Sequence, residues 1–247
     1  MSGGARTVAI VQARLGSSRL PAKVLLDLCG RTALERCLSR VRRVPGVDEV
    51  VVATSEATAD DVIALAARRL GYPVCRGSEH DVLSRYAKAA REHRAEIVLR
   101  FTSDCPLLDP AVSVLPLGLL SRGGFDYASN TLTRRLPRGL DTEVMLASAL
   151  ARADRDAADA AEREHVTMHL YRNRDVFRCG EAVPEGLPDL SSYRWTLDTL
   201  DDYRFLFSVF EALGVHAEEA SMRDVLDLLS RHPELASINA HVAQKTT

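Results

Sequence analysis

Long hydrophobic runs are missing from this sequence of 247 residues. No stretch approaches the ~20 apolar residues that a membrane-spanning helix needs, and the first residues lack the apolar core of a signal peptide. We therefore expect a cytoplasmic protein with no membrane partner. An excess of one charge is missing too, because the formal net charge is only −2. We expect no nucleic-acid partner, and any phosphate site must come from a local cluster of Arg and Lys.

Cysteine is scarce and scattered. The five cysteines are an odd number and include no C-x-x-C pair, which excludes the usual zinc and dithiol redox patterns. We predict reduced, mostly buried thiols. With 46% hydrophobic and 27% charged residues, the composition is that of an ordinary globular protein rather than a disordered or fibrous chain.

Short apolar runs alternate regularly with amphipathic segments. We predict strands at 7–13, 49–54, 73–76 and 96–101, and helices at 34–44, 59–70 and 81–94. Short strands at 126–130 and 140–146, two helices, a strand at 193–198 and helices at 200–213, 222–230 and 234–243 complete the prediction. This alternation indicates an α/β fold, with a mostly parallel central sheet flanked by helices and a ligand site at the carboxyl ends of the strands.

The length is compatible with one domain over residues 1–247. We interpret the less regular segment 126–190 as an excursion from that domain that binds substrate or forms a dimer contact.

The segment RLGSSRLPAK at 14–23 follows the first predicted strand. Glycine and serine allow backbone N–H groups to approach a polyphosphate, and three cations stand beside them. The segment is neither a Walker loop nor G-x-G-x-x-G. An ordinary solvated loop is the alternative interpretation. We assign nucleotide contacts to Ala13, Gly16, Ser17 and Ser18, and catalytic charge to Arg14, Arg19 and Lys23.

The pattern R-x-G-S-x-R-x-P-x-K in this loop resembles the signature of the sugar-nucleotide cytidylyltransferases, the group of the CMP-sialic acid and CMP-Kdo synthetases. Later segments, in the same order, resemble the spore-coat polysaccharide synthesis protein F family of these enzymes: RGSEHDVLSRY at 76–86, RFTSDCPLLD at 100–109, PRGLDTEVM at 137–145, REHVT at 163–167 and RWTLDTLDDY at 194–203. The resemblance covers nearly the whole chain to Tyr203. It implies a nucleotidyltransferase fold related to the GT-A glycosyltransferases, with CTP at the first loop.

The same resemblance implies metal ligands. Asp104 stands where the family has a metal-binding aspartate, and Asp198 matches a second one. Mg²⁺ typically takes one or two carboxylates together with phosphate oxygens and water. Each aspartate also has a structural interpretation: Asp104 in a turn or helix cap before Pro106, and Asp198 at the start of the following helix.

Further contacts are expected along the matched segments. Arg76, Ser78 and Asp81 could reach the base or ribose, or could simply form a loop and a helix cap. On the acceptor side we assign Asn130, Arg138, Asp141, Glu143 and His165, since such charged sets are costly to bury without a partner. A metal pair of His165 and His169 is rejected, because the segment lacks H-E-x-x-H. We place Trp195 in the core.

The sequence therefore predicts a Mg²⁺-dependent cytidylyltransferase that transfers CMP from CTP to a small acidic sugar, sugar phosphate or phosphonate and releases pyrophosphate. A GT-A glycosyltransferase is the second hypothesis, but Ser103-Asp104-Cys105 lacks the D-x-D metal pair. A non-catalytic nucleotide-binding partner is the third, weakened by the presence of Lys23, Arg19 and Asp104 together. The acceptor, the need for a general base and the possible homodimer stay open.

Overall fold

A mostly parallel sheet of seven strands organises the computed structural model, which describes residues 4–244. Its strands are β1 (Thr7–Gln12), β2 (Glu49–Ser55), β3 (Val74–Gly77), β4 (Ile97–Thr102), β5 (Tyr127–Ser129), β6 (Glu143–Leu146) and β7 (Cys179–Glu181). They lie in the order β3-β2-β1-β4-β6-β5-β7. β6 runs antiparallel to both of its neighbours, β4 and β5, whereas the other neighbouring pairs are parallel. The three residues at each end of the predicted domain 1–247 lie outside the described residues.

Helices cover the sheet on both faces. They are α1 (Ala33–Arg42), α2 (Asp61–Arg69), α3 (Val82–Glu92), α4 (Pro110–Ser121), α5 (Ala147–Asp156), α6 (Ala160–Glu164), α7 (Met168–Arg172), α8 (Leu200–Leu213), α9 (Met222–Arg231) and α10 (Pro233–Ser237), with 3₁₀ turns at Lys23–Leu25, Thr58–Asp60 and Gly214–His216. The predicted fold class, α/β with a mostly parallel sheet flanked by helices, is confirmed. No helix within residues 4–244 has the length and apolar character needed to cross a membrane.

Side chains alternate between the two faces of β1, so this strand contributes to two separate cores. Val8 and Ile10 pack on one face with α3, α5 and α7, while Ala9 and Val11 pack on the other with α1, α2 and α4. Because both faces are covered, β1 is apolar at the four successive positions 8–11 rather than at alternate ones. This is why the first strand is a continuous apolar run in the sequence.

A third core lies beside the sheet. Trp195 is fully buried there against Phe205 and Val209 of α8 and Val225 of α9, which confirms its predicted core position. α8 is capped by Thr199, whose side chain accepts a hydrogen bond from the backbone N–H of Asp202 in a capping box. This cap fixes the chain immediately after Asp198.

The structure corrects several predicted elements in the second half of the chain. Segment 193–198 is not a strand: Trp195 N donates to Arg138 O (2.7 Å) but Leu197 N donates to Asp104 O (2.8 Å), so its bonds go to two different segments and no ladder forms. The third strand of this half, β7, was not predicted, three helices follow β6 rather than two, and the last predicted helix is reduced to Pro233–Ser237. In the first half, the predicted strands and helices agree with the structure to within a few residues, but α4 (Pro110–Ser121) was not predicted.

The cysteines are free thiols. Cys37, Cys75 and Cys105 are buried, and Cys29 and Cys179 are partly buried. Burial raises the pKa of the Cys37 thiol to about 12, so it stays protonated at neutral pH. The prediction of reduced, mostly buried cysteines is confirmed.

Candidate active site

The carboxyl ends of β1 and β4 bring two distant segments together. The strands pair in parallel with Gln12 opposite Thr102, so the loop after β1 and the turn holding Asp104 emerge at the same edge of the sheet. Asp198 reaches this edge from the segment before α8, through the backbone bond from Leu197 N to Asp104 O. Three segments far apart in the sequence therefore meet at one point.

Lys23 is the centre of this meeting point. Its Nζ lies 2.6 Å from Asp104 Oδ2 and 2.7 Å from Asp198 Oδ1. Burial disfavours the ammonium, but the two carboxylates outweigh it and raise the pKa of Lys23. Burial likewise disfavours the Asp104 carboxylate, yet Lys23 holds the pKa of Asp104 below its usual value. Lys23 and Asp104 are thus both charged at neutral pH.

The loop after β1 folds so that Lys23 can reach the carboxylates. Ala22 N donates to Leu15 O (3.1 Å), and Ala22 takes a left-handed conformation with φ 55° immediately before the 3₁₀ turn that carries Lys23. At its start, Leu15 N donates to Asp60 Oδ1 at 2.7 Å. These bonds close the loop on itself and tie it to the 3₁₀ turn Thr58–Asp60 that follows β2.

The second oxygen of Asp198 is held by two arginines. Arg19 Nη2 lies 3.0 Å from Asp198 Oδ2, and Arg194 Nη2 lies 2.6 Å from the same oxygen. Arg194 is itself anchored by Asp202, which is completely buried. Sequence reasoning missed Arg194, although its place in the matched RWTLDTLDDY segment was visible. Its guanidinium fixes the orientation of Asp198.

A cavity of about 410 Å³ opens above the loop. Both the predicted loop residues and residues that were not predicted line it: Gln12, Ala13, Arg14, Gly16, Ser17, Ser18, Arg19, Lys23, Val24, Arg85, Thr102, Ser103, Asp104, Glu164, His165 and Asp198. We call it the loop cavity. The three predicted cations of the loop therefore face one space together with both predicted metal ligands.

A second cavity, of about 590 Å³, adjoins the first. The residues common to both are Arg19, Thr102, Asp104, His165 and Asp198. The predicted acceptor residues Arg138, Asp141 and Glu143 line it as well. We call it the arginine cavity. The two carboxylates and His165 lie where the cavities meet.

Most charges of the arginine cavity are paired within the protein. Arg134 makes a fork to Asp141, with distances of 2.5 and 2.9 Å. Glu143 pairs with Arg100 and accepts hydrogen bonds from the hydroxyls of Tyr127 (2.7 Å) and Thr167. These pairs hold the walls of the cavity in place.

Two cations of the arginine cavity, Arg138 and Arg174, have no acidic partner in the part of the chain that the structure describes. Neither Arg138 nor Arg174 lies within 4.0 Å of a carboxylate oxygen of residues 4–244. Burial and the nearby Arg134 lower the pKa of Arg138, as expected for a cation without its own anion. The cavity therefore has positive charge available for a ligand.

Other predicted residues do not line either cavity. Arg76 pairs with Asp61 at 2.5 Å and donates to Ser55 O. Asp81 caps α3 through Ser84 N (2.9 Å), pairs with Arg163, and donates its own N–H to Ser78 Oγ. The contacts of Arg76, Ser78 and Asp81 thus agree with the structural interpretation, a loop followed by a helix cap. Nucleotide binding by these residues stays a prediction.

Asn130 is also occupied within the protein. Its side chain is buried, donating to Leu140 O and accepting from Thr142 N, both at 2.8 Å. It holds the chain that leads to Asp141, and its role in acceptor binding stays a prediction.

Several cavity residues were missed by sequence reasoning. Arg85 had a visible signal, because it falls on the apolar face of the predicted helix 81–94, where a cation is unexpected. Gln244 and Arg174 had none, since they lie in irregular segments that only the fold brings to the arginine cavity.

Cations of a βα loop facing two carboxylates, at the carboxyl edge of a mostly parallel sheet, define a nucleotidyltransferase. Residues 8–225 match the family model described as Cytidylyltransferase, and the chain belongs to this family. It is 31% identical to the spore coat polysaccharide biosynthesis protein SpsF of Bacillus subtilis over 92% of this chain and 95% of that protein.

Two solved structures are similar to this chain. A cytidylyltransferase from Leptospira borgpetersenii superposes with a TM-score of 0.89 and 30% identity, over 98% of this chain and 100% of that chain. CMP:2-keto-3-deoxy-manno-octonic acid synthetase complexed with CTP shares the fold, with a TM-score of 0.61 and 19% identity over 84% of this chain and 99% of that one.

Proposed function

We propose that this enzyme transfers CMP from CTP to a small acidic sugar, sugar phosphate or phosphonate and releases pyrophosphate, with Mg²⁺ as cofactor. The observation that carries the proposal is the position of Lys23 in the loop cavity, between Asp104 and Asp198, the two carboxylates that also line the arginine cavity. One cavity would hold the nucleotide and the other the acceptor, so that the reacting groups meet beside these three charges.

CTP is assigned to the loop cavity. Arg14, Arg19 and Lys23 face it. The small residues Gly16 and Ser17 would allow phosphate oxygens to come close to the backbone N–H groups of the loop. The synthetase complexed with CTP has the same fold, which supports this choice of nucleotide.

The two aspartates suit a divalent metal ion. Both contact the same ammonium, so their oxygens converge on one small volume. No group of three or more acidic, His or Cys side chains that could hold a metal occurs in residues 4–244. Two carboxylates, completed by phosphate oxygens and water, are what Mg²⁺ usually takes. When bound, the ion would neutralise charge on the phosphates as a Lewis acid.

The reaction would be an in-line attack by an acceptor oxygen on the α-phosphorus. The protein then contributes positions and charge rather than covalent chemistry. Lys23, Arg14 and Arg19 bind the triphosphate and stabilise the negative charge that develops on the departing pyrophosphate. Arg194 keeps Asp198 turned toward the site.

The charges of the arginine cavity support an acidic acceptor. Arg138 and Arg174 bring two cations without acidic partners to its wall, and an anionic group on the acceptor would complete them. A hydroxyl acceptor would also need a group that takes its proton. His165 lies at the junction of the cavities, and burial lowers its pKa, so it is neutral and able to accept a proton near pH 7. A phosphate or phosphonate acceptor would need no base.

The test is pyrophosphate release from CTP and Mg²⁺ with a panel of keto-acid sugars, sugar phosphates and phosphonates. Neutral sugars and a reaction without acceptor serve as controls, and mass spectrometry identifies the CMP adduct. We expect release with at least one anionic acceptor and none with its neutral counterpart. Release with neutral sugars alone, or with no acceptor in the panel, would contradict the proposal. The cytoplasmic location and the homodimer stay predictions, the latter to be checked by light scattering.

A further inference from the structure

The chain continues beyond the residues that match the family model, and this continuation returns to the arginine cavity. The match ends at residue 225, whereas Gln244 lines the cavity. Asn239 anchors the returning segment. It is 3% exposed, and its Nδ2 donates to Arg194 O at 2.8 Å and to Asp202 Oδ1 at 2.9 Å. The segment is thus fixed against Arg194.

The side-chain amide of Gln244 has a defined orientation. Its Oε1 accepts a hydrogen bond from Arg194 Nη1 at 2.5 Å. A guanidinium carries donors only, so the oxygen of the amide must face Arg194 and the NH₂ group must point elsewhere. Within residues 4–244 this NH₂ group makes no hydrogen bond. Because Gln244 is exposed and lines the arginine cavity, its two N–H donors are available to a ligand there.

The other donors of the arginine cavity favour an anionic ligand for this amide. Arg194, which holds Gln244, lies opposite Arg138 in a short parallel backbone bridge. Arg138 and Arg174 line the same cavity as Gln244 and have no carboxylate partner among the described residues. The cavity therefore combines two cations with a neutral N–H donor, a set that matches the several oxygens of a carboxylate or phosphate group.

We propose that Gln244 binds the anionic group of the acceptor through its amide N–H groups, while its oxygen stays on Arg194. This inference rests on the proposed acidic acceptor. Arg194 also donates to Asp198 Oδ2 at 2.6 Å, so one guanidinium joins the acceptor contact to an aspartate assigned to the metal ion. Gln244 would thereby align the acceptor with that carboxylate. A neutral acceptor would leave the donors of the cavity unpaired.

The experiment measures binding by calorimetry, with CTP present and no metal ion, so that it does not depend on turnover. The probes are 2-keto-3-deoxy-manno-octonic acid, glucose 6-phosphate and methylphosphonate, with glucose as the neutral control. Q244E keeps an oxygen for Arg194 but replaces the N–H donors by a negative charge, whereas Q244A removes both. We expect the wild type to bind at least one anionic probe. Q244A should bind it about 10-fold more weakly, the lower end for a hydrogen bond to a charged group, and Q244E more weakly still.

Two other residues of the same segment provide matched controls. A243E adds the same charge beside Gln244, at an exposed residue that lines neither cavity. H241A removes a side chain that lies 3.1 Å from Asp201 and also lines neither cavity. Both variants should bind the probe within about twofold of the wild type, because exposed charges contribute little.

Weakening in Q244A with wild-type binding in Q244E would mean that Gln244 only supports Arg194, and the inference would be wrong. Weakening in Q244E with wild-type binding in Q244A would show a charge effect without a contact and would overturn it as well. Wild-type binding in both variants, or equal weakening in Q244E and A243E, would have the same meaning. In all these cases the wild type still binds an anionic probe, so the proposed function stands. Wild-type protein that binds no anionic probe, or binds glucose as tightly, would refute the acidic acceptor itself and this inference with it.

Discussion

The ammonium of Lys23 lies 2.6 Å from the carboxylate of Asp104, although 81 positions separate the two residues in the chain. The contact joins the loop after β1 to the turn after β4. It presents a positioned cation in the loop cavity, beside the two carboxylates that line both cavities, before any substrate arrives. Such preorganised charge contributes much of the stabilisation that enzymes provide to the transition states of phosphate transfer.

We expect K23A to lower kcat for pyrophosphate release by about two to three orders of magnitude, because a cation next to developing charge contributes a few kcal/mol. K88A is the matched control. Lys88 lies on α3, donates to Arg76 O in β3, and lines neither cavity. Circular dichroism should show both variants folded. Turnover of K23A close to that of K88A would refute the role of Lys23.

R138A should raise the KM of the acidic acceptor about 10- to 100-fold and leave the KM of CTP unchanged, because one charged hydrogen bond to the acceptor is lost. Arg135 lies in the same loop but is exposed and donates to Leu187 O (3.1 Å), so R135A provides the control. Steady-state kinetics with both substrates varied would measure this. A rise in the KM of CTP instead would move Arg138 to the nucleotide side.

Gly139 is sterically required where the arginine cavity meets the third core. Its φ is +108°, and an added Cβ would lie 2.6 Å from Trp195 O. G139A should destabilise the fold by about 2 kcal/mol, through backbone strain and this clash. G118A is the matched control: no heavy atom lies within 4 Å of its added Cβ, and it should stabilise α4 by about 0.5–1 kcal/mol. Urea unfolding measures both, and equal midpoints would contradict this account.

His165 should titrate below its ordinary value, because burial lowers its pKa in the folded protein. The unfolded chain then binds more protons at this residue than the folded chain does. The associated stability is fully present above about pH 6.5 and is lost as the pH falls through the folded pKa. The free energy of unfolding of wild type relative to H165Q should therefore decrease from pH 8 to pH 5. A difference that stays constant, or an NMR titration of His165 above 6.5, would contradict the prediction.

Local patterns were sufficient for the strands and for three of the four helices of the first half of the fold, and for the loop; α4 was not predicted. β1, β2 and β4 each contain at least three successive apolar residues because both faces of the sheet are covered, and such runs are visible in the sequence. Segment 193–198 (YRWTLD) alternates aromatic or apolar residues with polar ones, as a strand does, yet its hydrogen bonds go to Arg138 on one side and to Asp104 on the other. Local character cannot distinguish a strand from a chain that is pinned at two separate points.

What the sequence determined by itself is the alternation of strands and helices, the family, and the cations between residues 14 and 23. These depend on periodicity and on residues close together in the chain. Only the tertiary structure decided that Lys23 sits between Asp104 and Asp198, that Asp81 and Asn130 are engaged inside the protein, and that Arg85 faces the loop cavity without an anion. Each of these is a distance or an orientation that depends on which strands pair. Paired strands can lie far apart in the chain, so the local sequence of one strand does not reveal its partner.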